Sequence, residues 1–186
     1  YDRTLTLEVW YPAALVAGQQ PGGEYRVITR DPAITATILG KAVRDAAPLP
    51  APGKYPLVII SHGYPGNRYL MSHIGENLAS KGFVAVSIDH KDSTYDDQKA
   101  FGSTLYHRSF DQLFVLNEMD RQGKVGSGSS LAGLVDAPEP KQRACARPSL
   151  FVPGNRPKAR PDPHPARGKL TFKEDDGPQR LIRQCR

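Results

Sequence analysis

In this chain of 186 residues, the types that can do chemistry are densest in the stretch Ser61-His62-Gly63-Tyr64-Pro65-Gly66. A β-branched run, Leu57 to Ile60, enters it, and a segment with helical spacing leaves it. Gly63 and Gly66 open backbone angles barred to other residues, which lets main-chain N–H groups turn into a cleft. Amides aimed at an acyl oxyanion contribute several kcal/mol of transition-state stabilisation. Pro65 has no N–H, so the expected donor is the main chain of Tyr64. Asp89 and His90 stand at the end of the next apolar run. The residues alone leave a second reading open: a glycine-rich turn between a strand and a helix, with no ligand.

The elements that must position these residues follow from periodicity. Leu5, Leu7 and Val9 alternate before Tyr11-Pro12, which predicts a half-buried strand over 4–10. Tyr25 to Ile28 reads as a short strand and Ile34 to Val43 as a short helix. Prolines at 48, 50, 52 and 56 form an extended connector. Leu57 to Ile60 reads as a strand covered on both faces. Met71, Ile74 and Leu78 give the next helix an apolar stripe, closed at Lys81-Gly82. Phe83 to Ile88 is another buried strand, so strand, helix and strand make a crossover unit with a parallel sheet. A second helix is expected over Ser109 to Arg121, with Phe110, Leu113, Phe114 and Met119 on its apolar face. The sequence therefore predicts an α/β chain.

The formal charge of +6 is not spread evenly. Residues 1–137 hold 13 Lys and Arg against 14 Asp and Glu, whereas residues 138–186 hold 12 against 5 and also 9 of the 17 prolines. Any argument from charge for an anionic partner thus concerns the tail alone. That tail has no helical or strand period, and it is expected to be disordered because its apolar area cannot offset its ordering entropy. Its cysteines, Cys145 and Cys185, lack metal-ligand spacing. No apolar run approaches the ~20 residues that span a bilayer, and no leader is visible in a chain that opens on Tyr1.

The segment VIISHGYPGNRYLMSHIGENLASKGFVAVSIDHKDST resembles the oxyanion-loop region of α/β-hydrolase esterases, most closely the platelet-activating-factor acetylhydrolase and dienelactone-hydrolase-like branch. The matching features are Ser61-His62-Gly63, Gly66, Arg68, the run from Leu78 to Val84, and Asp89-His90; the opening LTLEVWYPA matches as well. The resemblance covers residues 1–136. It implies the N-terminal half of an α/β-hydrolase fold, a partial and mostly parallel sheet with flanking helices, as domain 1–137. It also implies hydrolysis of short acyl esters, such as lipid acetyl esters or lactones, by a Ser-Asp/Glu-His triad with no cofactor and no metal. Tyr64 takes the oxyanion-hole position. His62, Gly63, Gly66, Asp89 and His90 flank the site, with His62, Asp89 and His90 bonding local turns.

Such an enzyme needs Gly-x-Ser-x-Gly after a further buried strand, and the motif occurs nowhere in the chain. The nearest approach, Gly128-Ser129-Ser130-Leu131-Ala132, follows a polar, glycine-broken stretch and reads as a flexible linker. His164 lies among prolines with no scaffold. The sequence therefore assigns no nucleophile and expects a chain that is inactive alone. The switch at 137 is expected of a frameshift or truncation of a longer esterase gene, which would leave the edge of strand 57–60 open. The alternative is a non-catalytic protein whose basic tail binds nucleic acid or an anionic surface, though no nucleic-acid motif is present and no specific nucleic-acid partner is expected. Asp89, His90, Asp92, Asp96 and Asp97 could be grouped as metal ligands, but acidic loops after strands are ordinarily just solvated.

Overall fold

The computed structural model describes residues 3–31, 33–138 and 182–184. Its strands are β1 (Thr6–Trp10), β2 (Gly23–Ile28), β3 (Thr35–Gly40), β4 (Ala42–Arg44), β5 (Tyr55–Ser61), β6 (Val84–Asp89), β7 (Val135–Asp136) and β8 (Ile182–Gln184). Its helices are α1 (Ser72–Ser80), between β5 and β6, and α2 (Phe101–Gln122), between β6 and β7. The central sheet is mixed, in the order β1-β6-β5-β7. β5 runs parallel to β6, with Ile59 opposite Val86, and β1 runs antiparallel to β6, with Val9 opposite Val86. The architecture is that of a partial α/β fold. No helix among the described residues is long and apolar enough to cross a membrane.

Strand alternation divides the core into two halves. Val84, Val86 and Ile88 of β6 join Leu5, Val9, Val115, Met119, Leu131 and Val135 on the α2 side. Ala85 joins Trp10, Tyr25, Val27, Ile60, Tyr69 and Ala79 on the α1 side. β1 is accordingly not half-buried as expected: Glu8 and Trp10, on the face opposite Val9, are as inaccessible as Val9 itself. Trp10 lies against Gly75 of α1 and donates its indole N–H to the Tyr25 hydroxyl at 2.9 Å.

Three other expectations change. The segment 34–43 is not a helix: its β-branched residues pair with β2, Ile38 opposite Tyr25 and Thr37 opposite Arg26, to make a hairpin. The buried face of α1 is Ser72, Gly75, Glu76 and Ala79, whereas Ile74 is exposed. α2 begins at Phe101 and buries Thr104, Asp111, Val115 and Met119, leaving Phe110 and Leu113 in solvent. The end of α1 is as read. Gly82 takes a positive φ of 87°, and the Gly82 and Phe83 N–H groups return to the Ala79 and Leu78 carbonyls, which satisfies the last turn.

β5 is less covered than its apolar run suggests, since Leu57, Val58 and Ile59 are only partly buried. On one side it pairs with β6 over residues 57–61; on the other, β7 pairs only with Tyr55 and Pro56. From Leu57 onward that edge has no partner strand among the described residues. Residues 124–134 form successive turns that tuck Leu131 into the core, rather than a free linker. The tail expected to be disordered lies outside the described residues except at Pro138 and at Ile182–Gln184, and the latter pairs antiparallel with β4.

Candidate active site

The loop leaving β5 is fastened from three directions. From below, the Gly66 N–H donates to the Ser93 carbonyl at 3.0 Å. From the far end, Asp89 accepts the Arg68 N–H at 2.5 Å and also binds the Arg68 guanidinium. Burial works against the charge on Arg68, but Asp89, Tyr69 and Glu8 outweigh it and hold the guanidinium's pKa above its ordinary value. From α2, Arg108 donates to the carbonyls of His62 and Gly63 and to Ser93 Oγ.

This fastening fixes where the Tyr64 amide points. Gly63 O accepts from His62 Nδ1 at 2.7 Å and from Arg108 Nη2 at 3.2 Å. In a trans peptide the carbonyl and the following N–H are antiparallel, so a tethered Gly63 carbonyl turns the Tyr64 N–H the other way. The same bonds polarise the peptide and make that N–H a stronger donor. Among the described residues the Tyr64 N–H donates to no protein acceptor. Its side chain is held apart from this, with the hydroxyl donating to the Lys99 carbonyl and the ring 5.0 Å from that of Phe101.

The glycines act differently from the sequence reading. Neither Gly63 nor Gly66 has a positive φ. Gly66 is required for space, because a Cβ there would lie 2.6 Å from His62 Nδ1, whereas Gly63 faces open room.

The histidines are both buried, with rings 5.3 Å apart. His62 Nδ1 faces a carbonyl and its Nε2 accepts the His90 main-chain N–H at 3.2 Å, so the proton sits on Nδ1. Burial lowers the His62 pKa, only partly opposed by the Gly63 carbonyl. That keeps the ring neutral and in the tautomer that braces the loop.

His90 lies between an acid and a hydroxyl. Its Nδ1 is 3.1 Å from Asp111 Oδ2 and its Nε2 is 2.8 Å from Ser61 Oγ. The carboxylate can only accept, which places the proton on Nδ1 and leaves Nε2 to accept from Ser61. Arg3 grips Asp111 with Nε and Nη2, each at 3.0 Å, and reaches Asp92 with Nη1 at 2.8 Å. Burial pushes the Asp111 pKa up, but the His90 bond and the Arg3 charge more than offset this and leave it below the ordinary carboxylate value. Ser61, partly exposed at the end of β5, thus ends a hydrogen-bond chain that runs through His90 to Asp111 and Arg3.

The structure thus brings His62, Gly63, Gly66 and His90 together and adds Ser61, Arg108 and Asp111. Asp89 fastens the far end of the same loop through Arg68. The sequence did carry one signal for the α2 contribution: Thr104, Arg108 and Asp111 recur at helical spacing on the side turned towards the loop. The acidic loop is internally committed, Asp92 to Arg3 and Asp97 to the Asp92 N–H. Among the described residues no group of three or more His, Cys, Asp or Glu is arranged to hold a metal ion. Ser130 lies exposed in the turns before β7.

Comparison with known proteins places the stretch that holds this loop in one family. A family model described as platelet-activating factor acetylhydrolase, isoform II, matches residues 16–108. Platelet-activating factor acetylhydrolase of Bos taurus is 36% identical over 97 residues, 45% of this chain and 22% of that protein. The Canis lupus familiaris protein is 34% identical over 80 residues, covering 41% and 18%. The Cavia porcellus protein is 40% identical over 68 residues, covering 34% and 16%. The chain therefore spans about a fifth of the length of these relatives. No solved structure matches it. With half of its residues inside that family model, and its loop, Arg68 and Asp89-His90 all within the matched stretch, the chain belongs to the platelet-activating factor acetylhydrolase, isoform II, family.

Proposed function

We propose that this chain supplies the oxyanion-binding half of a carboxylic-ester hydrolase of the α/β-hydrolase fold, with the main-chain N–H of Tyr64 as donor. The substrates are short acyl esters, in keeping with the name its relatives carry, platelet-activating factor acetylhydrolase. A single observation carries the reading. The Gly63 carbonyl is held by His62 and Arg108, so the Tyr64 N–H is turned outward without a protein acceptor at the carboxyl end of a parallel strand. An amide held this way needs no reorganisation when charge develops on an acyl oxygen, which makes its stabilisation specific to the transition state.

The test is a titration of the ¹⁵N-labelled chain with a short alkyl phosphonate monoester, an anionic tetrahedral mimic. The expected result is a saturable downfield movement of the Tyr64 amide proton, with the β2–β3 hairpin amides unmoved. A Tyr64 amide indifferent to the anion sinks the assignment.

A further inference from the structure

We infer that the recess between β2, the turn after the loop and the segment following β6 binds a small amino-carboxylate zwitterion, its carboxylate inward and its ammonium at the rim. This goes beyond the reading above and does not use Tyr64, which is not among the lining residues. The recess measures about 160 Å³, room for a compact solute rather than for a single water. Residues 26–28 of β2, 67–69 and 94–96 line it, with Asp89 at the end of β6. Its walls are fixed to one another: Thr94 bridges to Gly66, and Asp89 holds both the main chain and the guanidinium of Arg68.

Inside the recess most polar groups are already matched. Arg68 and Asp89 neutralise each other, the Tyr69 hydroxyl accepts from Arg68 Nη2 at 2.8 Å, and Thr94 Oγ1 accepts the Asp97 N–H at 3.2 Å. Asn67 is the exception. Its Oδ1 accepts the Tyr69 N–H at 2.9 Å, which turns Nδ2 the other way. That nitrogen is buried and has no hydrogen-bond partner among the described residues. A buried donor left in this state is costly, and a carboxylate oxygen entering the recess supplies the acceptor.

The rim selects a second charge. Arg26 on β2 and Asp96 on the segment after β6 are both exposed, and neither belongs to an ion pair among the described residues. A lone anion is drawn by Arg26 and repelled by Asp96, and a lone cation the reverse. One molecule that carries both charges is attracted by both. Val27, Ile28 and the half-buried Tyr95 offer apolar surface to the short methylene body between them.

The experiment titrates the full ¹⁵N-labelled chain with β-alanine, and separately with propionate and ethylammonium, which carry its two charges one at a time. The expected result is a saturable movement of the Asn67 side-chain amide and of the Arg26 and Asp96 main-chain amides, with either half binding more weakly. Arg26→Gln and Asp96→Asn, at exposed positions outside the fastening of the loop, should each weaken β-alanine binding about fivefold. Asn67→Asp keeps the acceptor for the Tyr69 N–H but sets a carboxylate where the free donor was, and it should abolish binding. Propionate binding as tightly as β-alanine would reduce the recess to a simple anion site and overturn the inference. An unmoved Asn67 side-chain amide on a chain with a native spectrum overturns it as well. The Tyr64 amide answers to the phosphonate whether or not the recess takes β-alanine, so the two readings succeed or fail separately.

Discussion

On the α1 side of the central sheet, the helix buries a carboxylate. Glu76 Oε1 accepts the Tyr25 hydroxyl at 2.5 Å and the Ala42 N–H at 3.1 Å, and the Lys41 N–H lies 3.0 Å from both its oxygens. On the α2 side the sheet presents Val84, Val86 and Ile88, and the helix meets them with Val115 and Met119. Towards its N-terminal half, α2 turns Thr104, Arg108 and Asp111 inward while Phe101, Leu105, Tyr106 and Phe110 are more than half exposed. One helix therefore docks through shape and hydrogen bonds. The other docks by apolar packing at one end and by ion pairs over the candidate site at the other. Hydrophobic periodicity records only the packing: it marked Met71, Leu78, Phe114 and Met119, which do pack on the core, and missed the polar part of each buried face.

The sharpest way to break this contrast is Glu76→Ala. The substitution strands the Tyr25 hydroxyl and the two amides that lead into β4, each buried donor costing about 1–3 kcal/mol when its acceptor is lost. We expect a loss of about 4 kcal/mol in chemical denaturation, with the β2–β3 hairpin amides losing exchange protection first. A loss below about 1 kcal/mol would show that α1 docks by packing after all.

Glu8, on the same side of the sheet, gives the contrast a pH signature. Burial raises its pKa from 4.5 to about 7, only partly opposed by Arg44 and Arg68, and its Oε1 has no hydrogen-bond partner. An acid that holds its proton more tightly when folded stabilises the fold below the unfolded pKa and loses that contribution as pH rises through the folded one. Unfolding free energy from this group should fall by roughly 3 kcal/mol between about pH 4 and pH 8. Glu8→Gln, which mimics the protonated acid, should flatten that stretch of the profile and be the more stable form at its alkaline end. A variant with an unchanged profile would place the titration elsewhere.

Gly75→Ala tests shape. A Cβ there lies 2.3 Å from Trp10 Cε3, in a ring that is fully buried and tied to Tyr25. The helix gains about 1 kcal/mol of propensity from alanine over glycine, while overpacking costs typically about 1–3 kcal/mol. We expect a net loss of about 1–2 kcal/mol, read by denaturation alongside a changed Trp10 fluorescence.

These residues also show what the sequence could carry. β1, β5, β6 and the Schellman close of α1 are written locally, in alternation and in Lys81-Gly82, and they emerged within a residue or two. The family likeness was legible because its loop is one contiguous stretch. The hairpin at 35–40 was not, because Ile, Ala and Leu suit a helix until Tyr25 and Arg26 offer a strand to pair with. His62, Gly66 and His90 could be read as loop residues. The hydrogen-bond chain from Ser61 through His90 to Asp111 and Arg3 could not, since it joins side chains separated by 29, 21 and 108 positions. No local period encodes a bond of that range.

The smallest expected effect lies on the outer face of α2. Phe110 and Leu113 are 57% and 44% exposed, on the side of the helix away from Asp111 and Val115. In place of either, lysine can lay its methylene stem over the part of the side chain's site that is covered, and it is nearly as good a helix former as leucine. Stability should change by less than about 0.5 kcal/mol, and the circular dichroism of α2 should persist. The double variant is the stricter form of the test, because it removes both neighbouring apolar side chains of this face at once. A loss of more than about 1 kcal/mol would mean that these side chains are covered in solution. The polar inward face over the loop would then be only half of what holds α2 in place.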